Sequence, residues 1–201
     1  EASGWNPDME DLKRKVTSKT KAVVIINPNN PTGALYDTLV LQQILDVARA
    51  HNLIVFSDEI YDRLVMDGLK HVSTASLASD VTVVTMNGLS KSHSLCGYRC
   101  GWMIISGPRA RTEAYRQGIV QLTSLRLCSN ALAQLVIPAA IADMETPAAM
   151  VRPGGRLYEQ RKATLEVLDG IDGVSYVKNV AAFYLFPKLD VKKFNIRSDK
   201  Q

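Results

Sequence analysis

Four short, unbroken apolar runs frame this chain: residues 21–27, 53–56 and 81–86, and a GWMIISGP stretch that opens at Gly101. An apolar run without polar alternation marks a strand covered on both faces, as in parallel sheets flanked by helices. Between the first two runs, Leu41, Ile44, Leu45 and Ala48 repeat at the i, i+3, i+4, i+7 spacing of one apolar helix face. Strand, helix, strand at this spacing predicts crossover units and an α/β fold with a mostly parallel sheet. Only fourteen residues separate the third and fourth runs. That is short for a crossover helix, so the fourth strand is expected to run antiparallel.

The remainder reads more coarsely. Residues 108–143 are expected to be helical, bent or interrupted at Pro138, and Pro147, Pro153, Gly154 and Gly155 then punctuate the chain. A helix stopped near Gly170 comes next, and then two short strands within VSYVKNVAAFYLFPKL. The expected division is a sheet domain over residues 1–142 and the beginning of a smaller α+β domain over 143–201. The chain has no initiator Met and ends on a polar, unfinished stretch, and is expected to be a segment of something longer.

Composition narrows the function classes. Net charge is +4, but the basic residues are scattered apart from Lys13-Arg14-Lys15, expected on a helix's wet face, and no basic run interleaves with aromatics. A nucleic-acid role therefore has no footprint. No stretch of eighteen apolar residues occurs, so no membrane span is expected. Cys96, Cys100 and Cys128 form no CxxC pair, and His51, His71 and His93 offer no ligand spacing. The expectation is free, packed thiols in a reducing, cytoplasmic setting and no metal.

In open α/β sheets, ligands sit beyond the carboxyl ends of the parallel strands. Residues 27–33, 58–61 and 88–91 occupy those ends. In the first, Pro28 and Pro31 fix φ, Asn27 and Asn30 are kept out of the helical region, and Gly33 permits a positive φ. Such a turn holds the Asn30 amide in one orientation, although Asn, Pro and Gly also build turns that bind nothing. Asp58 closes the second strand, where a carboxylate needs a cation or several donors; a helix cap or a structural ion pair would satisfy it equally. Tyr61 comes three residues later and shares its face if the segment turns as a helix. Lys91 stands five residues past the third strand. A loop lysine is ordinarily a solvated one, but lysine is also the residue that bonds to aldehydes when its amine is deprotonated. Arg99 has a fork suited to phosphate oxygens, with Gly97 and Gly101 allowing close approach. Neither G-x-G-x-x-G nor G-x-x-x-x-G-K-[ST] occurs.

Together NPNNPTG (27–33), DEIY (58–61) and GLSKSHSLCGYRCG (88–101) resemble the class I pyridoxal-phosphate aminotransferases. RLCSNALAQ, PGGRLYEQR and AAFYLFPKLD look like the bacterial alanine (glutamate–pyruvate) members. The resemblance covers nearly the whole chain but corresponds to the middle of a family chain. It implies the large domain of a pyridoxal-phosphate-dependent transferase, helices on both faces of its sheet, and usually a homodimer. It implies transfer of an amino group between an amino acid, alanine or glutamate, and a 2-oxo acid. Lys91 would carry the cofactor as a Schiff base and move the proton, and Asp58 would hold the pyridine nitrogen protonated. Tyr61 and Asn30 would donate to the phenolic oxygen, Asn30 would also touch the substrate carboxylate, and Arg99 and Ser90 would grip the phosphate. Two positions depart from the family pattern: Cys100, where a small aliphatic residue is usual, and Gly88, where many relatives have serine. Taken alone, the chain is expected to be a poor catalyst. A lyase of the same fold, a non-catalytic effector-binding module and a doubly wound nucleotide-binding domain are the alternatives.

Overall fold

A computed structural model describes residues 3–197. Strands β1 (Ala22–Ile26), β2 (Ile54–Asp58), β3 (Val83–Gly88) and β4 (Gly101–Ser106) form one sheet in that order. The first three are parallel and β4 runs antiparallel to β3, as the short connection before it requires. The register sets Ile26 beside Asp58 and Asp58 beside Met86. Two further bonds carry the ladder past the strands, from Asn27 N–H to the Asp58 carbonyl (3.0 Å) and from Glu59 N–H to that of Met86 (2.9 Å). The three carboxyl ends are therefore level, and the residues beyond each strand emerge at one rim.

Helices α1 (Met9–Lys15) and α2 (Thr38–His51) lie in the N-terminal half. The Lys13-Arg14-Lys15 cluster is exposed on α1 and paired within it, Lys13 with Glu10 and both Arg14 and Lys15 with Asp11. Asp37 caps α2 by accepting the Val40 N–H at 2.9 Å, and Asn52, left-handed at φ 54°, ends it. Its apolar face, Leu41, Ile44, Leu45 and Ala48, is buried against Ile25, Val55 and Val83. Each such side chain contributes about 1.5–3 kcal/mol by leaving water, so this contact anchors the sheet that presents the rim.

Helix α3 (Leu89–Ser92) is a single turn after β3, and α4 (Arg109–Arg126), α5 (Ala131–Leu135) and α6 (Ile137–Ala142) come after β4. The expected helix over 108–143 is thus three. Its main break lies at residues 127–130, where Leu127 takes φ 62° and the Asn130 side chain starts α5 by accepting the Ala133 N–H. Pro138 opens α6, where the N–H it lacks has no helical acceptor. Next come α7 (Glu145–Val151) and α8 (Arg156–Asp169). Pro147 sits in the first turn of α7, a place proline tolerates, so a stretch expected to be punctuation is helical. Helix α8 ends at Gly170, and β5 (Val174–Ser175) pairs antiparallel with β6 (Lys188–Leu189).

Tyr61, Leu64, Met66, Val151 and Ala182 form a second core that joins the end of β2 to the later segments. All three cysteines are unpaired, but Cys96, which opens a short 3-10 helix, and Cys128, in the irregular link between α4 and α5, are exposed rather than packed. Among the described residues no group of His, Cys, Asp and Glu could hold a metal ion, and no helix is long and apolar enough to cross a membrane.

Candidate active site

The proline turn after β1 is built from its own side chains. Asn27 is fully buried; its Oδ1 accepts the Tyr36 N–H at 2.8 Å, which ties the two ends of the turn together. Asn29 accepts the Thr32 hydroxyl at 2.7 Å, and the Asn29 and Gly33 backbones close the loop through the Ala34 and Asn29 carbonyls at 2.8 and 2.9 Å. Both Asn-Pro bonds, 27–28 and 30–31, are cis. Asn30 takes no part in this bracing and stands exposed at the tip. Gly33 has φ 67°, and its carbonyl accepts the N–H groups of both Val180 and Ala181 at 3.0 Å. The turn is therefore rooted in a segment nearly 150 residues away along the chain.

Asp58 ends β2 half-buried. Its Oδ1 accepts the Ile60 N–H at 3.1 Å, and no cation lies within ion-pairing distance among the described residues. The neighbouring Glu59 points to the other side, buried, where it accepts from Ser57 Oγ (2.9 Å), Ser73 Oγ (3.1 Å) and Thr74 N–H (3.0 Å). Glu59 Oε1 thus takes three bonds, with His71 Nε2 3.8 Å from Oε2, while Asp58 is left with capacity. Residues 59–64 form successive turns rather than a helix, with Asp62 N–H bonded to Glu59 and Leu64 N–H to Tyr61. These turns still bring Tyr61 close enough to Asp58 to feel its charge.

Tyr61 is almost fully buried, with its hydroxyl 2.7 Å from that of Tyr184 and its ring edge-on to Phe183 and Tyr184, centroids 5.6 Å apart in each pair. Burial first, then the Tyr184 hydroxyl and the Asp58 charge, push the Tyr61 phenol well above its ordinary range. The Asn30 amide, also within reach of that hydroxyl, pulls the other way. Phe183 carries the contact onward, since Lys91 Nζ lies 5.7 Å from the centre of its ring. No carboxylate pairs with Lys91 among the described residues.

Asn30, Asp58, Tyr61 and Lys91 are thus gathered around Phe183 and Tyr184. Ser90 precedes Lys91 in α3, half-buried. Arg99 stands apart and exposed, in the left-handed region at φ 53°, with Nη1 bonded to its own turn at the Cys96 carbonyl (2.8 Å). The rest of its fork is open. Gly88 is forced by space: a β-carbon there would lie 3.0 Å from the Cys100 carbonyl and 3.1 Å from Gly101 Cα, where β3 and β4 meet. Two cavities flank the group, one of about 220 Å³ bordered by Arg161, Phe183 and Tyr184 and one of about 270 Å³ bordered by Asp62, Asn87 and His93. Asn30, Asp58 and Lys91 line neither.

Phe183, Tyr184 and Asn27 had no place among the sequence-based site residues. The only sign of the first two is a Phe-Tyr pair after Ala-Ala in an apolar stretch. Asn27 and Asn30 look alike in sequence, each preceding a proline, and only the structure separates brace from tip.

The sequence profile of "Aminotransferase class I and II" matches residues 1–200. The chain is 47% identical over 201 residues to the glutamate-pyruvate aminotransferase AlaA of Escherichia coli, covering all of this chain and 50% of that protein. It is 46% identical over 201 residues to an alanine aminotransferase of Mycobacterium bovis, covering 47% of it. Among solved structures, an aminotransferase from Escherichia coli superposes with a TM-score of 0.95 at 47% identity, over 99% of this chain and 49% of that one. An alanine aminotransferase from Pyrococcus furiosus gives 0.88 at 40% identity, over 95% and 48%. The chain spans about half the length of these relatives.

Proposed function

Because the chain belongs to the class I and II aminotransferases, we propose that the protein transfers an amino group between alanine or glutamate and a 2-oxo acid, using pyridoxal 5'-phosphate. The observation that carries this reading is the presence on one rim of Asp58 and Lys91, neither with an ion-pair partner among the described residues, with the high-pKa Tyr61 hydroxyl beside them. The names of the similar proteins, alanine and glutamate-pyruvate aminotransferase, support the substrate class.

The donor set fits the cofactor. The spare capacity of Asp58 suits a protonated ring nitrogen, whose N–H it accepts and whose charge it balances. The Tyr61 oxygen is approached by Tyr184 and Asn30; when both donate to it, its own hydrogen is left for the phenolic oxygen of the ring. Burial, the largest cause of the raised pKa and one that does not depend on which hydroxyl donates, keeps that hydrogen in place at neutral pH. Asn30, exposed at the tip, has a second amide hydrogen for the same oxygen or for the substrate carboxylate. Arg99 and Ser90 supply the donors for the phosphate. Bound pyridoxal phosphate supplies an electron sink for the electron pair left when a substrate α-proton departs. Lys91 Nζ would be the point of covalent attachment and, as a free amine, the base that takes that proton and returns it.

The domain division at 142/143, a cytoplasmic site and a homodimer belong to the same reading. Unpaired thiols support the second, and the exposed apolar side chains Val120, Leu122 and Leu125 on α4 support the third. The deciding experiment is borohydride reduction of the intact protein with pyridoxal phosphate, then peptide mass mapping, with Lys91→Ala as control. A pyridoxyl adduct confined to the Lys91 peptide is expected, and an adduct elsewhere or none would refute the reading. Conversion of the bound cofactor to its pyridoxamine form by alanine then separates transamination from elimination, which would release ammonia instead.

A further inference from the structure

Helix α3 is one turn long, too short to hold itself, so the position of Lys91 must be set from outside it. Two side chains next to the rim residues reach one place from different elements. Arg63, two residues past Tyr61, donates Nη1 to the carbonyls of Ala140 (3.3 Å) and Asp143 (3.1 Å) and Nη2 to that of Ile141 (2.9 Å). His93, two residues past Lys91, has Nε2 3.2 Å from the same Asp143 carbonyl and Nδ1 2.9 Å from the buried Ser92 hydroxyl. A carbonyl only accepts, so Nε2 bears the hydrogen, and in the neutral ring Nδ1 accepts from Ser92. These carbonyls close α6, where unsatisfied C=O groups and the negative end of the helix favour a guanidinium.

A direct link runs beside this one. Asn87 Nδ2 donates to Asp62 Oδ2 at 2.9 Å, and its Oδ1 accepts the Gly88 N–H at 2.7 Å. The cavity of about 270 Å³ lies between the two links and is lined by Asp62, Arg63, Asn87, Ser92 and His93. Leu89 anchors α3 by burial, while on the side of this cavity, whose other walls include Trp102, Ile104 and Ile141, packing leaves a gap that hydrogen bonds to backbone span.

We infer that Arg63 and His93 are positioning residues which, through the shared carbonyl end of α6, fix Lys91 Nζ relative to the Tyr61 hydroxyl. The inference rests on the reading of Lys91 and Tyr61 as cofactor-facing groups. A simple helix cap would stabilise α6 and leave Lys91 indifferent. The arrangement here makes the Lys91 turn depend on a residue, Arg63, that forms no hydrogen bond to it.

The test uses the intact protein with Arg63→Ala, Arg63→Lys, His93→Ala and His93→Gln. Amide hydrogen exchange without cofactor comes first. Arg63→Ala and His93→Ala are each expected to speed exchange about threefold to tenfold at residues 89–94 as well as at 139–143, the size of a modest coupling energy. Arg63→Lys keeps the charge but loses the fork; it should show the same pattern at smaller size and serves if the alanine variant does not fold. Turnover comes second. With alanine and a 2-oxo acid, kcat is expected to fall about tenfold with KM within about twofold, as for a misplaced group. His93→Gln, which retains an N–H donor, should recover most of the loss. Acceleration confined to 139–143 in both alanine variants would reduce the pair to local caps and overturn the inference. Faster exchange at 89–94, together with no pyridoxyl adduct at Lys91 in the unaltered protein, would uphold the coupling and sink the cofactor reading instead.

Discussion

A β-carbon on Gly33 would press on that of Asn179 and lie 2.7 Å from the Tyr184 carbonyl and 3.0 Å from that of Ala181, in a residue already at φ 67°. The left-handed conformation costs a non-glycine residue about 1–2 kcal/mol, and overpacking adds about 1–3. Gly33→Ala should lower the unfolding free energy by about 2–4 kcal/mol in urea titration; a loss under about 1 kcal/mol would mean that the 179–184 segment yields easily. Tyr61 offers a spectroscopic check. With its pKa raised by burial and by Tyr184, it remains a phenol through about pH 10, where an ordinary tyrosine ionises. The ultraviolet difference titration of wild type against Tyr61→Phe should therefore be flat across that range, and a phenolate step there would show the hydroxyl to be open to water. The need for glycine at 33 was legible because two prolines and a glycine leave a turn few conformations. The Tyr184 hydroxyl was not, since 123 residues separate it from its partner and nothing in an aromatic pair names the ring it will meet.

Arg161 joins helix α8 to the chain beyond β2. The Arg161 guanidinium, buried, meets both oxygens of Asp67 at 2.5 and 2.9 Å, and Lys178 adds a third bond at 3.0 Å. Arg161 first, with Lys178 behind it, holds the Asp67 carboxyl below its usual range. A depressed carboxylate stabilises the fold above its unfolded pKa, and that contribution is lost as pH falls through the folded value. Asp67→Asn should therefore lower stability by about 1–2 kcal/mol at pH 7, a buried pair discounted for the partial exposure of Asp67. The gap to wild type should close as pH falls below about 4; urea titrations across pH read it directly, and a gap that persists in acid would point to packing instead. Elements with a clean apolar period, α2 and the first three strands, were legible because burial writes that period into sequence. Pro138 signalled the break before α6, but the one before α5 was not legible, because it hangs on one leucine at positive φ and one asparagine cap, local choices that leave the hydrophobic pattern intact.

At the scale of the molecule, the later segments α7 and α8 and the 179–184 stretch wall the rim, while α4 turns Val120, Leu122 and Leu125 outward. Placing Leu125→Asp on that face should leave monomer stability within about 0.5 kcal/mol, as for most surface changes. For the homodimer proposed above, it should also shift the intact protein toward monomer in sedimentation velocity; an unchanged dimer would clear α4 of the interface. The parallel run of the first three strands and the reversal of the fourth were legible from run length and spacing. The closure of the site by distant residues was not, because apolar periodicity says that a face is buried and not by what. That closure also has a timetable. A ribosome adding about 5–20 residues per second needs about 6–25 s to travel from Tyr61 to Tyr184. For that interval the strands can be made while their far wall is not, so the lysine-bearing turn is born with an open door and the door is hung last.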